Sequence, residues 1–176
     1  MELTKNFVKA KRPCADGYRW FVRNRPGGSD YQHLLDALVD AGRVDDACWL
    51  LTQFGPTDAV LAVDAIDADA VVFAGSLVVR GSIDVETTLR AGGSIQAGGG
   101  IQAGGGIRAG RAIVAECAIK AGEGLQAGDE IRAGIGYGVY AGLDVRVDAW
   151  PASARVLAAR KPEGLVSGWW EEPAMR

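Results

Sequence analysis

The stretch Ile95-Gln96-Ala97-Gly98-Gly99-Gly100-Ile101-Gln102-Ala103-Gly104-Gly105-Gly106-Ile107-Arg108-Ala109-Gly110 repeats itself every six residues. Working outward, the same period runs from Leu77 through Ile83, Leu89, Ile95, Ile101, Ile107, Ile113, Ile119, Leu125, Ile131 and Tyr137 to Leu143. All twelve are large and apolar. A helix repeats every ~3.6 residues and would have lost this register within two turns. A strand instead places residues i and i+2 on one face. Two residues after each large apolar stands Val or Ala, from Val79, Val85 and Ala91 to Val139 and Val145. Each hexad therefore reads as a three-residue strand with both ends turned in and the middle residue turned out. The middle residues are mostly polar: Asp84, Arg90, Gln96, Gln102, Arg108, Lys120, Gln126 and Arg132.

The fourth position is usually glycine, as at Gly92, Gly98, Gly104, Gly110, Gly122, Gly128 and Gly134. A chain that turns a corner this often is expected to need backbone angles that glycine adopts cheaply. Three hexads close one triangular coil of 18 residues, and the twelve hexads predict four coils. Coils stack about 4.8 Å apart. The predicted fold is mainly β, a parallel β-helix with a small N-terminal α-helical module. Its inner ladders are Leu77/Ile95/Ile113/Ile131, Ile83/Ile101/Ile119/Tyr137 and Leu89/Ile107/Leu125/Leu143. The outer ladders are Val78/Gln96/Val114/Arg132, Asp84/Gln102/Lys120/Gly138 and Arg90/Arg108/Gln126/Asp144.

Three segments follow: a basic segment with a helical hairpin over 1–58, the solenoid over 59–148, and a capping tail over 149–176. In the hairpin, Ser29 and Gln32 read as a capping box, Gly42 as a stop, and Val44 to Gln53 as a second helix. Residues 1–28 carry seven basic and two acidic side chains, whereas 29–58 carry six aspartates against Arg43 alone. A nucleic-acid-binding arm is one reading of that asymmetry. Pairing of the two segments, or plain solvation, is the favoured one, because the second helix is acidic and apolar and makes a poor groove reader. The solenoid's open edges need covers. The flanks supply candidates, including Trp169 and Trp170, which can cap the core or offer a partner a hot spot.

Glycine makes up 25 of 176 residues, and the net charge is only −3. Three cysteines and one histidine leave no disulfide framework and no ordinary zinc site. Neither a membrane-length apolar run nor a leader core is present, which predicts a cytoplasmic protein. The glycine-rich run lacks the Lys-Ser/Thr of a phosphate loop. Cys117 lacks a nearby histidine and reads as a structural thiol. No cofactor is expected.

The six-residue strand-and-corner repeat resembles two families. In hexapeptide acyltransferases a small residue stands two before the aliphatic one. Here that slot holds Arg111, Cys117, Glu123 and Asp129, and the only histidine, His33, falls in the hairpin. The repeat over about residues 71–147 is also similar to the bactofilins, whose small triangular β-helix polymerises end to end. That resemblance implies a scaffold without catalytic residues. The N-terminal module, with Cys14-Ala15-Asp16-Gly17-Tyr18-Arg19-Trp20-Phe21, looks like modules of uncharacterised bacterial and phage proteins with repeat tails.

The expected function is non-enzymatic: a rigid wall presented to a protein partner. This plain profile is similar to that of phage and mobile-element inhibitors, anti-CRISPR proteins among them. A self-assembling bactofilin-like scaffold is the alternative, and an acyltransferase-like enzyme the third. The candidate partner-binding residues are Arg90, Arg108 and Gln126, with Lys120 and Arg132 on neighbouring walls and Trp169 and Trp170 in the tail. A homodimer is compatible with a flat wall or an exposed coil end.

Overall fold

The computed structural model describes residues 1–172; Pro173 and the rest of the tail read as a cap lie outside the described residues. The chain opens with β1 (Glu2–Leu3), α1 (Lys5–Ala10), α2 (Ala15–Asn24), β2 (Ser29–Asp30), α3 (Tyr31–Asp40) and α4 (Val44–Phe54). The segment read as a basic arm is therefore folded into two helices. Val8 and Phe21 from it join Leu34, Leu35, Leu38, Leu50 and Leu51 in one apolar core. The capping box is corrected. Ser29 is taken up by the β1–β2 pair, and the Asp30 side chain caps α3 by accepting from the Gln32 N–H at 3.1 Å. Gly42 (φ +70°) and Gly55 (φ +78°) end α3 and α4 in the left-handed region that glycine tolerates.

Few of the majority charges pair: the Met1 ammonium meets Asp30 at 3.1 Å and Arg19 meets Asp16 at 3.6 Å. Lys9, Lys11, Arg12 and Arg23 are solvated, with no ion pair among the described residues. The minority charges Arg43 and Asp16 both pair. Arg43 donates to Asp16 at 2.8 Å and to Asp46 at 2.7 Å, tying α2 to α4. Its guanidinium holds the Asp16 carboxyl below the usual range.

The solenoid follows as β3 (Val60–Val63), β4 (Ile66–Ala68), β5 (Val71–Phe73), β6 (Ser76–Val79), β7 (Ile83–Val85), β8 (Leu89–Ala91), β9 (Ile95–Ala97), β10 (Ile101–Ala103), β11 (Ile107–Ala109), β12 (Ile113–Ala115), β13 (Ile119–Ala121), β14 (Leu125–Ala127), β15 (Ile131–Arg132) and β16 (Val139–Tyr140). A 3-10 turn (Val147–Ala149), α5 (Trp150–Ser153), β17 (Arg155–Leu157), β18 (Leu165–Ser167) and β19 (Trp169–Trp170) complete it. Pairing is parallel throughout. The first wall is β3-β6-β9-β12-β15, the second β4-β7-β10-β13-β16-β18, and the third β5-β8-β11-β14-β17-β19.

The 18-residue parallel β-helix is as predicted, but it has about six turns rather than four. Between β6 and β15 the predicted ladders hold residue for residue, with Ile95, Ile107, Ile113 and Ile119 fully buried. Before them, Leu61, Ile66 and Val71 pair with Leu77, Ile83 and Leu89. Their five-residue spacing departs from the period of six.

Beyond Ile131 the period continues in sequence but not in space. Tyr137 and Leu143 are 52% and 53% exposed. Val139 takes the place beside Ile119, and Val156 the place beside Leu125. The cause is two insertions at corners. A loop with Gly136 at φ +82° adds two residues between β15 and β16, and the segment carrying α5 separates β16 from β17. Lys120 therefore pairs with Tyr140 rather than Gly138, and Gln126 with Leu157 rather than Asp144.

The corner glycines also have a different cause from the one expected. None of the seven has a left-handed φ. A Cβ on Gly92, Gly98, Gly104, Gly110, Gly122, Gly128 or Gly134 would instead stand well inside 3.0 Å of a carbonyl oxygen one coil below. Stacked corners approach so closely that only a hydrogen fits between them.

The two ends are finished differently. At the C-terminal end the Ala159 N–H donates to Asp129 and the Val139 N–H donates to Gly164. The chain between them crosses the end of the first wall without forming a strand. Buried Pro162 has no N–H to offer a further ladder. Trp170 packs against the core, so one of the two tryptophans is a cap.

At the N-terminal end α3 and α4 sit on β5, and Val72 and Ala74 join the helical core. Gln32 makes the join. Its Nε2 donates to the Val72 carbonyl at 3.2 Å, and its Oε1 accepts from the Ala74 N–H at 2.8 Å. One carboxamide thus stands in for the missing neighbour of β5.

Candidate protein-binding surface

On the third wall, Arg90 and Arg108 occupy consecutive rungs, followed by Gln126 and Leu157. Rungs of a parallel ladder lie about 4.8 Å apart. The repeat therefore forces two guanidiniums side by side, an arrangement that like charges oppose. Arg90 is half-buried because α4 overhangs it, and its Nη2 donates to Thr52 Oγ1 at 2.7 Å. Arg108, one rung further, is exposed. Neither has a carboxylate partner among the described residues.

The wall and α4 enclose a groove of about 420 Å³, lined by Leu51, Thr52, Pro56, Arg90, Arg108 and Gln126. A second groove of about 370 Å³ continues past Arg108 and Gln126 to Arg155 and Leu157. Arg155 is already neutralised by Glu171. The unpaired positive charge of this wall therefore lies at Arg90 and Arg108, with the Glu123 carboxylate lining the second groove, in a chain whose net charge is −3.

The other candidates are not gathered here. Lys120 lies on the second wall beside a hollow with Cys117 and Tyr137. Arg132 lies on the first wall, 3.8 Å from Glu130. Trp169 is 51% exposed and in register with Arg155, at the far end of the third wall, while Trp170 faces the core. His33 is exposed on α3.

Two features escaped the sequence. Thr52 becomes part of the surface only through the docking of α4, which no local pattern encodes. An apolar cavity of about 280 Å³ also opens among the helices, between Phe21, Leu34, Leu38, Trp20 and Trp49. Among the described residues no helix is long and apolar enough to cross a membrane.

The four-helix module ends at Phe54, and all of its core residues but Val72 and Ala74 precede that point. Residues 1–54 match the YdhT N-terminal domain. The match covers the helical module alone and leaves the solenoid outside it. The module similar to that domain is thus what closes β5 through Gln32 and overhangs Arg90 through Thr52. No curated protein and no solved structure matches the chain.

Proposed function

We propose that this chain is a binding protein, acting through the third wall on an acidic surface of a protein partner. The observation that carries this reading is the pair Arg90 and Arg108, on adjacent rungs at the mouth of a groove without a carboxylate among the described residues. A planar guanidinium recognises carboxylates through paired hydrogen bonds, and Arg is enriched at interface hot spots. The rigid ladder fixes the spacing of the two groups before the partner arrives, which lowers the ordering cost of binding. The inhibitor form of this reading, an anti-CRISPR-like protein that occludes a host complex, uses the same wall.

The test is charge reversal at Arg108, whose side chain makes no hydrogen bond among the described residues. Proteins captured by the wild-type chain are identified by mass spectrometry. The Arg108→Glu variant and the Arg90→Glu/Arg108→Glu variant are then compared with it. Loss of a captured protein at an unchanged melting temperature supports the wall. Retention of every captured protein by the double variant removes it.

A scaffold reading has one observation behind it: β3 and β4 carry no neighbour on their outer side among the described residues. An end-to-end filament needs two open ends. Here the far end is crossed by the irregular segment containing Pro162. That segment covers the first wall alone, and β18 and β19 end the other two walls without a further neighbour among the described residues, so a closed pair and a bactofilin-like polymer both have strands to use. Light scattering over a hundredfold concentration range separates these cases.

A further inference from the structure

The N-terminal end of the rod is closed on one wall only. In the third wall, on the side of β5 away from β8, Gln32 takes the Val72 carbonyl and the Ala74 N–H, and the Thr57 N–H takes the Ala74 carbonyl. In the first wall β3 is the terminal strand, and no strand among the described residues replaces its neighbour. The direction of its free groups follows from the ladder. The Ser76 N–H donates to the Ala59 carbonyl, and the Arg80 N–H donates to the Val63 carbonyl. Odd-numbered residues of this strand therefore bond toward β6. Val60 and Ala62, in alternate register, turn their N–H and C=O groups outward to solvent.

The end is apolar as well as unpaired. Val60 is 61% exposed, and Leu61 is 37% exposed where its ladder successor Leu77 is fully buried. Ile66 of β4 is half-buried in the same terminal layer. An exposed edge of this kind accepts an added strand through its main chain, with alternate side chains placed by the pleat.

Charge selects the occupant. Asp58 precedes β3 and Asp64 follows it directly, with Asp67 on β4 and Asp69 at the next corner. Of these four, only Asp64 has an ion-pair partner among the described residues, Arg80. A second copy docked end to end would bring these aspartates toward their own counterparts. We propose that β3 takes up an extended, apolar segment of a partner protein flanked at both ends by Arg or Lys, as an additional strand of the first wall. Its backbone would engage Val60 and Ala62, its inward side chains would cover Leu61 and Val63, and its terminal cations would meet Asp58 and, in exchange with the exposed Arg80, Asp64. This edge is separate from the arginine pair of the third wall, so either proposal can fail without the other.

The experiment uses the full chain and two short fluorescein-labelled peptides of alternating valine and threonine. One ends in arginine at both sides and the other in glutamate. The arginine-ended peptide is expected to raise fluorescence anisotropy and to slow amide hydrogen exchange at Val60 and Ala62. Ala62→Pro removes an N–H that the fold's own ladder does not use. It should abolish binding without lowering the melting temperature. In case that variant misfolds, the exposed pair Asp58→Lys/Asp64→Lys serves instead. It should weaken the arginine-ended peptide about tenfold, as two exposed ion pairs allow, and favour the glutamate-ended one. Equal binding of both peptides would overturn the proposal, as would unchanged exchange at Val60 and Ala62. A chain that already protects these amides while its mass doubles with concentration would assign the edge to a second copy instead.

Discussion

Replacing Gly110 by alanine tests the close stacking of corners, and the structure sets the size of the effect. The added Cβ would meet the Gly92 carbonyl, and the gap between coils must open by about 1 Å to admit it. Two corner hydrogen bonds span that gap, Gly110 N–H to Ala91 at 3.1 Å and Arg111 N–H to Gly93 at 3.2 Å. Weakening both costs about 1–2 kcal/mol. Forcing an extra carbon into a packed site adds about 1–3 kcal/mol. The expected loss is about 3 kcal/mol, or a fall in Tm of about 6–12 °C for a chain of this size.

Gly106→Ala is the internal control. It lies in the same coil with no left-handed φ, and its Cβ would stand 3.4 Å from the nearest atom, the Gly124 carbonyl oxygen. That change should be neutral or stabilise by up to about 1 kcal/mol, because alanine has fewer unfolded conformations to lose. Thermal unfolding followed by circular dichroism compares the two. If both variants melt with the wild type, corner glycines are not there for close approach and the explanation is wrong.

Four further outcomes are expected. Ile107→Asp buries an unpaired charge at a fully buried rung and should abolish cooperative unfolding of the rod, seen as loss of the β signal in circular dichroism. Gln32→Ala leaves the Val72 carbonyl and the Ala74 N–H without a partner; it should cost about 2 kcal/mol and speed hydrogen exchange at Ala74. Burial pushes the Tyr31 phenol up to about 12, although Arg90 opposes it, so the folded state favours the neutral phenol. Its contribution is intact below about pH 10 and is lost as pH rises through about 12; denaturant titrations should show this alkaline loss diminished in Tyr31→Phe. Leu61→Ala, at the part-exposed terminal layer, should cost about 1 kcal/mol, against several for Ile95→Ala in the interior, by chemical denaturation.

The middle of the rod was legible because one residue class recurs at one spacing. Nothing but a coil of fixed length explains Ile95, Ile101 and Ile107. The ends were less legible for a physical reason. Tyr137 and Val139 are both apolar and two residues apart, so a shift of two exchanges them without disturbing the pattern. Only the loop at Gly136 reveals the shift, and its glycine is one among 25. α1 and α2 were hidden by their charge, which marks the solvent side of a helix as readily as a disordered arm. The pairing of Arg90 with Arg108 followed from the period alone. The roles of Thr52 and Gln32 did not, because each acts on residues about 40 positions away. In sequence Gln32 reads only as a local capping residue, since sequence offers only local partners.

The carboxamide of Gln32 also bears on the order in which the molecule forms. The helical module is built from neighbours in sequence and can close quickly, whereas each coil must bring together residues 18 positions apart. A coil without a finished neighbour has no template for its strands. By presenting one donor and one acceptor in strand register, Gln32 offers β5 a ready-made edge before any other coil exists. Growth of the rod is then expected to start beside α3 and proceed toward β19, in the direction in which the chain leaves the ribosome. Pulse-labelled hydrogen exchange during refolding should accordingly protect β5 and β8 before β14 and β17, and Gln32→Ala should slow the first step more than the later ones.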